Sequence, residues 1–481
     1  MDDAAAATAG PAPRTGIGRT RLTALIVACA LFMQNLDSTV ISTALPTMAR
    51  AFGAEPTHMN VALTSYLLSL AVFIPASGWI ADRFGARRVF RAAIAVFTLG
   101  SMLCGYADSL TFLVAARILQ GAGGAMMVPV GRLVLLRTVA KSELVAAMAW
   151  LSTPALLGPV MGPPLGGFIV TYWSWRWIFY INVPIGLLGM TLVTLFVEDV
   201  REPIGGKFDW RGLFLSGACL SCLMFGFETI GRGVVPVPLS VSMIAAGFVF
   251  GALYGLHARF HVAPLIDLSL MRIRTFMVAV AAGTMFRIGI GAIPFLLPMM
   301  LQLNFGRSAA QSGLITFASS VGALAMKPAT TRALRWFGFR DTLVFNAMIA
   351  AAFLAACAAF RPWWPIYFIY AALLSGGFLR SLQFTAYNAL AYADIPRARM
   401  SKATSFYAAM QQVSLTLGVS SAAASLTVAM ALHGHGDQPM LSDFTVAFLV
   451  VAFVSMCAGP VALLMPLGAG RELSGHAGKE A

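Results

Sequence analysis

The chain has 481 residues, of which 59% are hydrophobic and only 11% are charged, and its mean hydropathy is +0.80. Soluble domains carry about a quarter charged residues, so this composition excludes an ordinary water-soluble protein. The net charge of +14 would suit nucleic-acid binding, but the cations lie mostly in short segments between long apolar runs, which argues against that class. We predict an all-α integral membrane protein.

Apolar stretches long enough to cross a bilayer recur along almost the whole chain. They predict fourteen spans, at residues 22–46, 61–81, 91–107, 112–134, 146–171, 178–198, 212–230, 238–257, 276–301, 311–331, 342–360, 365–392, 403–432 and 444–467. Lys and Arg concentrate in alternate connecting segments, and the other set of segments holds only Arg50, Arg176, Arg232, Arg307 and Arg361. Because cytoplasmic loops are the basic ones, we expect both termini in the cytoplasm of a multi-pass protein of a bacterial-type inner (plasma) membrane.

The predicted spans form two groups of six with a pair between them. We expect a disordered cytoplasmic tail, an N-terminal six-helix bundle, two inserted linker helices, a C-terminal six-helix bundle and a cytoplasmic tail, at residues 1–21, 22–200, 208–260, 274–467 and 468–481. A faint repeat supports this division, because Phe84-Gly85-Ala86-Arg87 after span 2 matches Phe337-Gly338-Phe339-Arg340 after span 10. Repeated halves are typical of secondary transporters, which hold the substrate between them.

Span 1 contains Asp37, with no Lys or Arg between Leu22 and Arg50. A charge in mid-membrane costs about 3 kcal/mol on insertion scales, so such residues usually face a cavity and have a function. Burial disfavours the charged form of a carboxylate and a nearby cation favours it, so a balanced carboxylate can gain and lose a proton. Arg117 in span 4 lies at the same depth to within about 5 Å. We predict that Asp37 carries a proton and Arg117 tunes it, with a static salt bridge as the alternative.

The short loop after span 2 has the pattern G-x-x-x-D-R-x-G-x-R-R. Its glycines allow two helix ends to meet closely, and its acid can pair with a cation or accept from backbone N–H groups. We predict a conformational latch formed by Gly78, Asp82, Arg83, Gly85, Arg87 and Arg88. The alternative is an ordinary basic inner loop.

Span 5 has a predicted helix-packing motif. Its glycines recur every four residues and line one helix face, where small residues allow close packing in lipid, and its prolines bend the helix. The motif consists of Gly158, Pro159, Gly162, Pro163 and Gly166. We interpret this face as a surface on which one bundle rocks against the other, with ordinary small-residue packing as the alternative.

Two deep cations, Arg287 in span 9 and Arg380 in span 12, are expected to avoid lipid and point inward. Deep acids are scarce by contrast, which motivates an anionic-substrate hypothesis. The predicted substrate cavity comprises Gln34, Tyr66, Gln120, Phe286, Arg287, Arg380, Gln383 and Asn388. We place it near mid-membrane, in contact with spans 1, 4, 9 and 12.

Cofactor and metal sites are not predicted. The chain has no GxxxxGK[ST] loop for a nucleotide, so the energy source is expected to be an ion gradient. His433-Gly-His435 could bind a metal, but two histidines in a flexible loop more often stay solvated, so no metal ligand is assigned. The expected partners are a small-molecule substrate, protons and the lipid bilayer around a monomer, without nucleic acid.

Several of these motifs resemble signatures of the major facilitator superfamily. The loop at 78–88, LVAARILQGAGGAMMVP (113–129) and LLGPVMGPPLGGFI (156–169) are similar to its general, fourth-span and antiporter motifs. LDSTVISTALP (36–46) and SWRWIFYINVPIG (174–186) resemble the fourteen-span drug:proton antiporter (DHA2) branch, and GGAMMVPVGRL (123–133) its MdtD-like subgroup. The resemblance implies a major facilitator fold and a proton-coupling role for Arg117.

The expected function is therefore a proton-coupled antiporter that exports small amphiphilic compounds or drugs by alternating access. The alternative is an exporter of organic anions or metal–organic acid chelates with a net-positive cavity. A channel or a non-transport membrane protein is a further alternative. The spans contain no Ser/His/Asp, HExxH or paired-carboxylate arrangement, so we do not predict an enzyme.

Overall fold

The computed structural model describes residues 17–53, 59–197, 207–229, 235–435, 438–466 and 468–474. Within these ranges every regular element is helical and no strand occurs, as the composition predicts. The α-helices are α1 (Ile17–Phe52), α2 (Asn60–Phe73), α3 (Ser77–Phe84), α4 (Ala86–Tyr106), α5 (Leu110–Thr138), α6 (Leu144–Tyr172), α7 (Trp177–Tyr180), α8 (Asn182–Phe196), α9 (Trp210–Thr229), α10 (Val237–Phe260), α11 (Arg274–Leu303), α12 (Ala309–Ala325), α13 (Lys327–Ala356), α14 (Ile366–Leu390), α15 (Met400–His433), α16 (Leu441–Met456), α17 (Ala458–Ala462) and α18 (Arg471–Ser474).

Long apolar helices account for most of the chain. Eleven helices in the described residues are long and apolar enough to cross a membrane. Each of the fourteen predicted spans overlaps a helix, including the spans at 146–171, 311–331 and 365–392, which lie on helices outside those eleven. The multi-pass character is therefore clear, and the count of fourteen stays a prediction.

The helices pack into two groups, which we call the first half (residues 17–197) and the second half (residues 274–474). In the first half, α1 packs on α6, and α5 packs on α2 and α4. In the second half, α11 packs on α15, and α14 packs on α12 and α13. The inserted helices α9 and α10 pack on each other, and α9 also contacts α2 and α15. The inserted pair therefore lies against both halves.

The predicted repeat has the same backbone feature in both copies. Gly85 separates α3 from α4 with φ 89°, and Gly338 interrupts α13 with φ 70°. Only glycine adopts a positive φ without strain, so each copy allows a sharp change of helix direction. The two loops thus have matching conformations although their sequences have diverged.

The ends of the chain differ in part from prediction. Helix α1 begins at Ile17, so residues 17–21 are helical rather than disordered, and the rest of the predicted N-terminal tail lies outside the described residues. Near the other end, α18 packs against α13, and Leu473 and Ser474 are buried. Residues 198–206, between the first bundle and the inserted helices, and residues 475–481 also lie outside the described residues.

The two halves are in close contact at the end of the molecule where Asp82 lies. The Ser77 and Ser405 hydroxyls are 2.8 Å apart. A Cβ on Gly78 would lie 2.6 Å from the Ser401 carbonyl oxygen, so only glycine permits this approach of α3 to α15. We call this region the Asp82 end. Its closure determines from which direction the space between the halves can be reached.

Candidate functional site

Asp37 lies in a buried polar network inside the first half. The Arg117 Nη1 donates to its Oδ2 at 2.6 Å, and the side chains of Gln120 and Asn182 donate to its Oδ1 at 2.9 and 3.0 Å. Asp37 is 3% exposed, and Arg117, Gln120 and Asn182 are fully buried. The carboxylate therefore exchanges its hydration for three donors from α5 and α8, in the way that buried charges require.

Arg117 makes further contacts besides its ion pair with Asp37. Its Nη1 also donates to Gln120 Oε1 at 2.7 Å, and its Nε donates to the Ala62 carbonyl at 3.3 Å. The guanidinium carbon lies 4.3 Å from the Tyr66 ring centroid, a cation–π distance. Arg117 Nη2 has no hydrogen-bond partner among the described residues. Protonation of Asp37 would weaken the strongest of these contacts and free the guanidinium to move.

The predicted latch residues divide into two groups. Asp82 accepts from Arg137 Nη2 at 2.6 Å through Oδ1 and from the Ser401 hydroxyl through Oδ2, so it connects α5 to α15. Arg87 donates to the Thr194 carbonyl within the first half. Arg83 and Arg88, by contrast, are exposed. Of the six predicted latch residues, Gly78 and Asp82 thus contact the opposite half directly.

Two glycines of the span 5 motif, Gly158 and Gly162, face a helix of their own half. A Cβ on Gly158 would lie 2.7 Å from the Asn35 side chain, and Gly162 lies against Thr39. Gly166 is buried, and the side chains of Pro159 and Pro163 lie outside the described part. The interpretation as a rocking surface between halves is therefore wrong for Gly158 and Gly162. The i, i+4 spacing sets a common face, but it does not identify the neighbour, which here is α1.

A cavity lies between the halves and is lined from α1, α5, α6, α14 and α15. Its polar lining consists of one cation and five amides: Arg132, Gln34, Asn35, Asn388, Gln411 and Gln412. The remaining lining is apolar and includes Ile74, Met148 and Phe384. The described lining contains no Asp or Glu. Such a site can hold an amphiphilic molecule and orient it by hydrogen bonds.

Only Gln34 and Asn388 of the eight predicted cavity residues line this cavity. Tyr66 and Gln120 belong to the Asp37 network. The other four, and span 9, do not line this cavity, so their assignment to a substrate site stays a prediction. Phe286 packs on Tyr387, Arg287 donates to the Tyr407 hydroxyl, Arg380 donates to Ser319 and the Gly376 carbonyl, and Gln383 donates to the Leu343 carbonyl.

These observations agree with a comparison of the sequence with known families. A family model described as Major Facilitator Superfamily matches residues 27–419. The chain belongs to this superfamily. The resemblance predicted from the motifs is confirmed.

Curated relatives define the subgroup. The chain is 36% identical over 439 residues to "Putative multidrug resistance protein MdtD" of Escherichia coli O157:H7 (strain EC4115 / EHEC), covering 90% of this chain and 92% of the relative. The proteins of that name from Pectobacterium carotovorum subsp. carotovorum (strain PC1) and Serratia proteamaculans (strain 568) are 37% and 38% identical over 434 and 400 residues. They cover 89% and 82% of this chain and 92% and 83% of their own lengths. The chain is therefore an MdtD-like member.

Solved structures share the fold. The human organic anion transporter MFSD10 (TETRAN) aligns with a TM-score of 0.63 and 13% identity, over 93% of this chain and 100% of that chain. The proton:xylose symporter XylE bound to 6-bromo-6-deoxy-D-glucose aligns with a TM-score of 0.61 and 16% identity, over 94% and 97%. At such identities the likeness establishes the all-helical major facilitator fold and nothing finer.

Two polar residues of this superfamily member were missed from the sequence. Asn182 begins α8 and joins the Asp37 network, and the signal for it was a lone amide at the start of an apolar run. Arg132 lines the cavity, donates to the Tyr392 hydroxyl at 3.1 Å and lies 5.5 Å from the Tyr407 ring centroid. Its position near a basic loop favoured a topological role, which concealed its inward direction.

His433 and His435 remain partly exposed, but they also contact an acid that was not predicted as their partner. The Nδ1 atoms of both rings lie within hydrogen-bond distance of Asp443, at 2.5 Å from Oδ1 and 2.8 Å from Oδ2. Asp443 is fully buried at the start of α16. The sequence separation of eight to ten residues concealed this pairing, because the turn between α15 and α16 brings the acid back to the histidines. Both histidines and the acid are residue types that can ligate a metal.

Proposed function

We propose that this MdtD-like protein is a proton-coupled efflux antiporter that exports small amphiphilic compounds by alternating access. The name of its relatives, which refers to multidrug resistance, supports export of such compounds. The single observation that carries the proton coupling is the buried contact of Asp37 with Arg117, at 2.6 Å and at most 3% exposed. An acid that is buried in the membrane and paired with a cation marks a candidate functional site, because burying such a charge is costly.

The proposed coupling uses the charge balance of this pair. With Asp37 ionised, its charge neutralises Arg117 and the network holds both side chains in one arrangement. With Asp37 protonated, an uncompensated buried guanidinium remains, which is costly in a low-dielectric environment. A conformation that gives Arg117 water or another acceptor is then favoured. Proton binding on one side of the membrane and release on the other would bias the two conformations in turn.

The contacts at the Asp82 end are the proposed latch of one conformation. Asp82 reaches Ser401 of the opposite half, and Lys141 Nζ lies 2.8 Å from Glu472 Oε2. Both contacts connect groups that must separate if the cavity opens at this end. A latch made of one part-buried acid and one exposed ion pair is weak enough to open during each cycle.

The test is uphill export in proteoliposomes with an imposed proton gradient, over a panel of amphiphilic compounds. Asp37→Asn is expected to bind substrate but to lose gradient-driven export, because the amide cannot take a proton. Asp108→Asn, which changes an exposed acid of the same half, is the matched control and should export normally. Full uphill export by Asp37→Asn would place the coupling elsewhere.

A second candidate function concerns the charge of the substrate. Arg132 is 5% exposed and is the one cation in the described cavity lining, which contains no acid. A buried cation without a carboxylate in the same cavity favours an anionic or zwitterionic substrate. We therefore keep export of organic anions, or of metal–organic acid chelates, as the alternative. The remaining five polar lining residues are amides, which can bind either sign of charge.

Matched fluorescent substrates of opposite charge, one rhodamine-type cation and one fluorescein-type anion, test this alternative. Arg132→Gln should reduce export of the anion roughly tenfold and spare the cation, since one charge-assisted contact is lost. Arg132→Lys retains the charge and serves as the control. Equal loss for both substrates, or exclusive cation export by the wild type, would discard the anion proposal.

We also propose the fourteen-span arrangement, with two six-helix bundles, two inserted helices and both termini in the cytoplasm. The alternation of basic segments supports the orientation. Fusions of a fluorescent protein and of alkaline phosphatase to the C-terminus test it, because the first is active inside the cytoplasm and the second outside. An active phosphatase fusion together with a non-fluorescent fluorescent-protein fusion would place the C-terminus outside the cytoplasm and contradict the proposed orientation.

A further inference from the structure

A cluster of two histidines and an aspartate lies at the turn between α15 and α16, and the proposed transport mechanism does not use it. Helix α15 begins at Met400 beside the Asp82 end and runs 34 residues to His433. At 1.5 Å per residue the cluster is about 50 Å away from that end. It therefore belongs to the opposite face of the protein, remote from the latch.

The geometry of this cluster is convergent. His433 Nδ1 lies 2.5 Å from Asp443 Oδ1, and His435 Nδ1 lies 3.0 and 2.8 Å from its two oxygens. Gly434 between the histidines has φ 69°, a left-handed conformation that glycine adopts at no cost. This turn directs both rings to one carboxylate. The Met440 N–H also donates to Asp443 Oδ2 at 2.8 Å, which fixes the acid at the start of α16.

We propose that His433, His435 and Asp443 form a binding site for a divalent transition-metal ion of the zinc class. One ligand atom from each residue lies within 4.8 Å of the others. Zinc bonds of 2.0–2.2 Å place ligand atoms about 3.4 Å apart in a tetrahedral site, so small ring movements suffice. Two imidazoles and one carboxylate match zinc, nickel or copper better than calcium or magnesium, which prefer oxygen ligands alone.

The proton balance of this site is simple. The Nδ1 atom of each ring faces Asp443, where it can either donate a proton to the carboxylate or present its lone pair, depending on the tautomer. In the tautomer with the proton on Nε2, each ring would bind an ion between the three residues through the Nδ1 lone pair. The side chains of His433 and His435 are 38% and 21% exposed, so solvent can reach the rings and a water can supply the fourth ligand.

The other histidine–aspartate cluster of the described residues does not present two ring-nitrogen lone pairs to one carboxylate. Asp209 Oδ1 lies 2.8 Å from His257 Nε2 and 4.0 Å from His261 Nε2. His261 Nδ1, however, accepts the Ala263 N–H at 3.2 Å, so the neutral ring carries its proton on Nε2, the atom that faces the acid. That nitrogen has no lone pair for a metal. The Asp209 cluster is therefore a matched control.

The site is proposed to stabilise the turn that ends α15. This helix also supplies Gln411 and Gln412 to the cavity and Ser401 to the contact between halves. An ion shared by α15 and α16 would tie the far end of that helix to its neighbour. Because the ion binds the folded protein, it is expected to raise the melting temperature.

The test is calorimetric titration of Zn²⁺ into the full-length protein in detergent, after removal of any polyhistidine tag and treatment with a chelator. We expect one site per chain, with affinity reduced about tenfold or more in His433→Gln and in His435→Gln. Both variants leave Asp443 and its backbone hydrogen bond in place. The control His257→Gln/His261→Gln should bind Zn²⁺ as the wild type does.

Thermal unfolding is the second readout. Zn²⁺ should raise the melting temperature of the wild type and of the control, and raise it clearly less in His433→Gln and in His435→Gln. Wild-type affinity in the two variants, loss of binding only in the control, or no Zn²⁺ binding by the wild type would each overturn the proposal. No transport assay enters this test, so its outcome is separate from that of the proposed antiport.

Discussion

The two halves of this transporter stabilise their buried arginines in different ways. In the first half, Arg117 forms an ion pair with Asp37 at 2.6 Å. In the second half, Arg287 donates to the Tyr407 hydroxyl at 2.5 Å, and Arg380 donates to the Ser319 hydroxyl and the Gly376 carbonyl. A hydroxyl or a carbonyl solvates a guanidinium, but it cannot neutralise it. The Asp37–Arg117 pair thus contains a charge that protonation can change, whereas the charges of Arg287 and Arg380 stay fixed.

This difference indicates that the two related halves have different roles in energy coupling. Arg117 and Arg380 both lie on the fourth span of their predicted bundles, but only Arg117 has an acid. We therefore expect energy coupling to depend on the first half. The fixed cations of the second half would raise the potential around the cavity without responding to the proton gradient.

The largest expected effect is on folding stability after removal of one partner of the ion pair. Arg117→Gln leaves Asp37 buried without a cation, which should cost roughly 3–5 kcal/mol. The double variant Arg117→Gln/Asp37→Asn should recover part of this loss, because no charge then remains unpaired. Denaturant unfolding in detergent micelles measures both. Additive losses in the double variant would show that the two residues do not act as a pair.

The same substitution in the second half should have a smaller effect. Arg287→Gln removes a charged hydrogen bond to Tyr407 but leaves no opposite charge unpaired, so the expected loss is about 1–2 kcal/mol. Tyr407→Phe, which deletes only the acceptor, is the control. The comparison between halves fails if Arg287→Gln destabilises the protein as much as Arg117→Gln does.

Disruption of the Asp82 contact is expected to change the equilibrium between conformations more than stability. Asp82→Asn weakens the acceptor for Arg137 and Ser401, which should open the Asp82 end more often. Cysteines at Ser77 and Ser405, whose hydroxyls are 2.8 Å apart, report this opening through their cross-linking yield. We expect the yield to fall several-fold in the Asp82→Asn background. Arg83→Gln, at an exposed position near the end of α3, should leave it unchanged.

The smallest expected effect concerns Asp267, in the loop between α10 and α11. Burial alone would raise the pKa of Asp267. Hydrogen bonds from Ser269 and Arg399 nevertheless hold this pKa below its ordinary value of 3.8. The ionised acid therefore stabilises the fold above that value, and the contribution is lost as the pH falls through the lowered pKa. Asp267→Asn should cost about 1 kcal/mol at neutral pH, after allowance for solvent screening. A loss that persists after Asp267 is protonated would contradict this assignment.

The sequence predicted the fold well because its main signals are local. The length of the apolar runs predicted a helical membrane protein, and the glycine of each repeated loop marked a change in helix direction. Depth could also be read from the chain, which is how Arg117 was matched with Asp37. The rotation of each helix about its axis could not be read from the chain. Arg287 and Gln383 were therefore assigned to the substrate cavity, but they do not line the cavity described between the halves.

Long-range partners were the other missing information. Asn182 and Arg137 contact predicted residues from elements far along the chain, at separations of 145 and 55 residues. A single polar residue in an apolar segment carries no mark of its partner. The same applies to Asp443, whose pairing with the two histidines depends on the path of one turn.

The most direct test of the account is the number of protons exchanged when substrate binds. The wild type and Asp37→Asn would be compared in weakly buffered detergent solution, with the panel compound that the wild type exports best. We expect the wild type to release about one proton per bound substrate, as a single titrating carboxylate allows, and Asp37→Asn to bind substrate without releasing any. Equal proton release by both proteins would contradict the claim that Asp37 is the coupling residue.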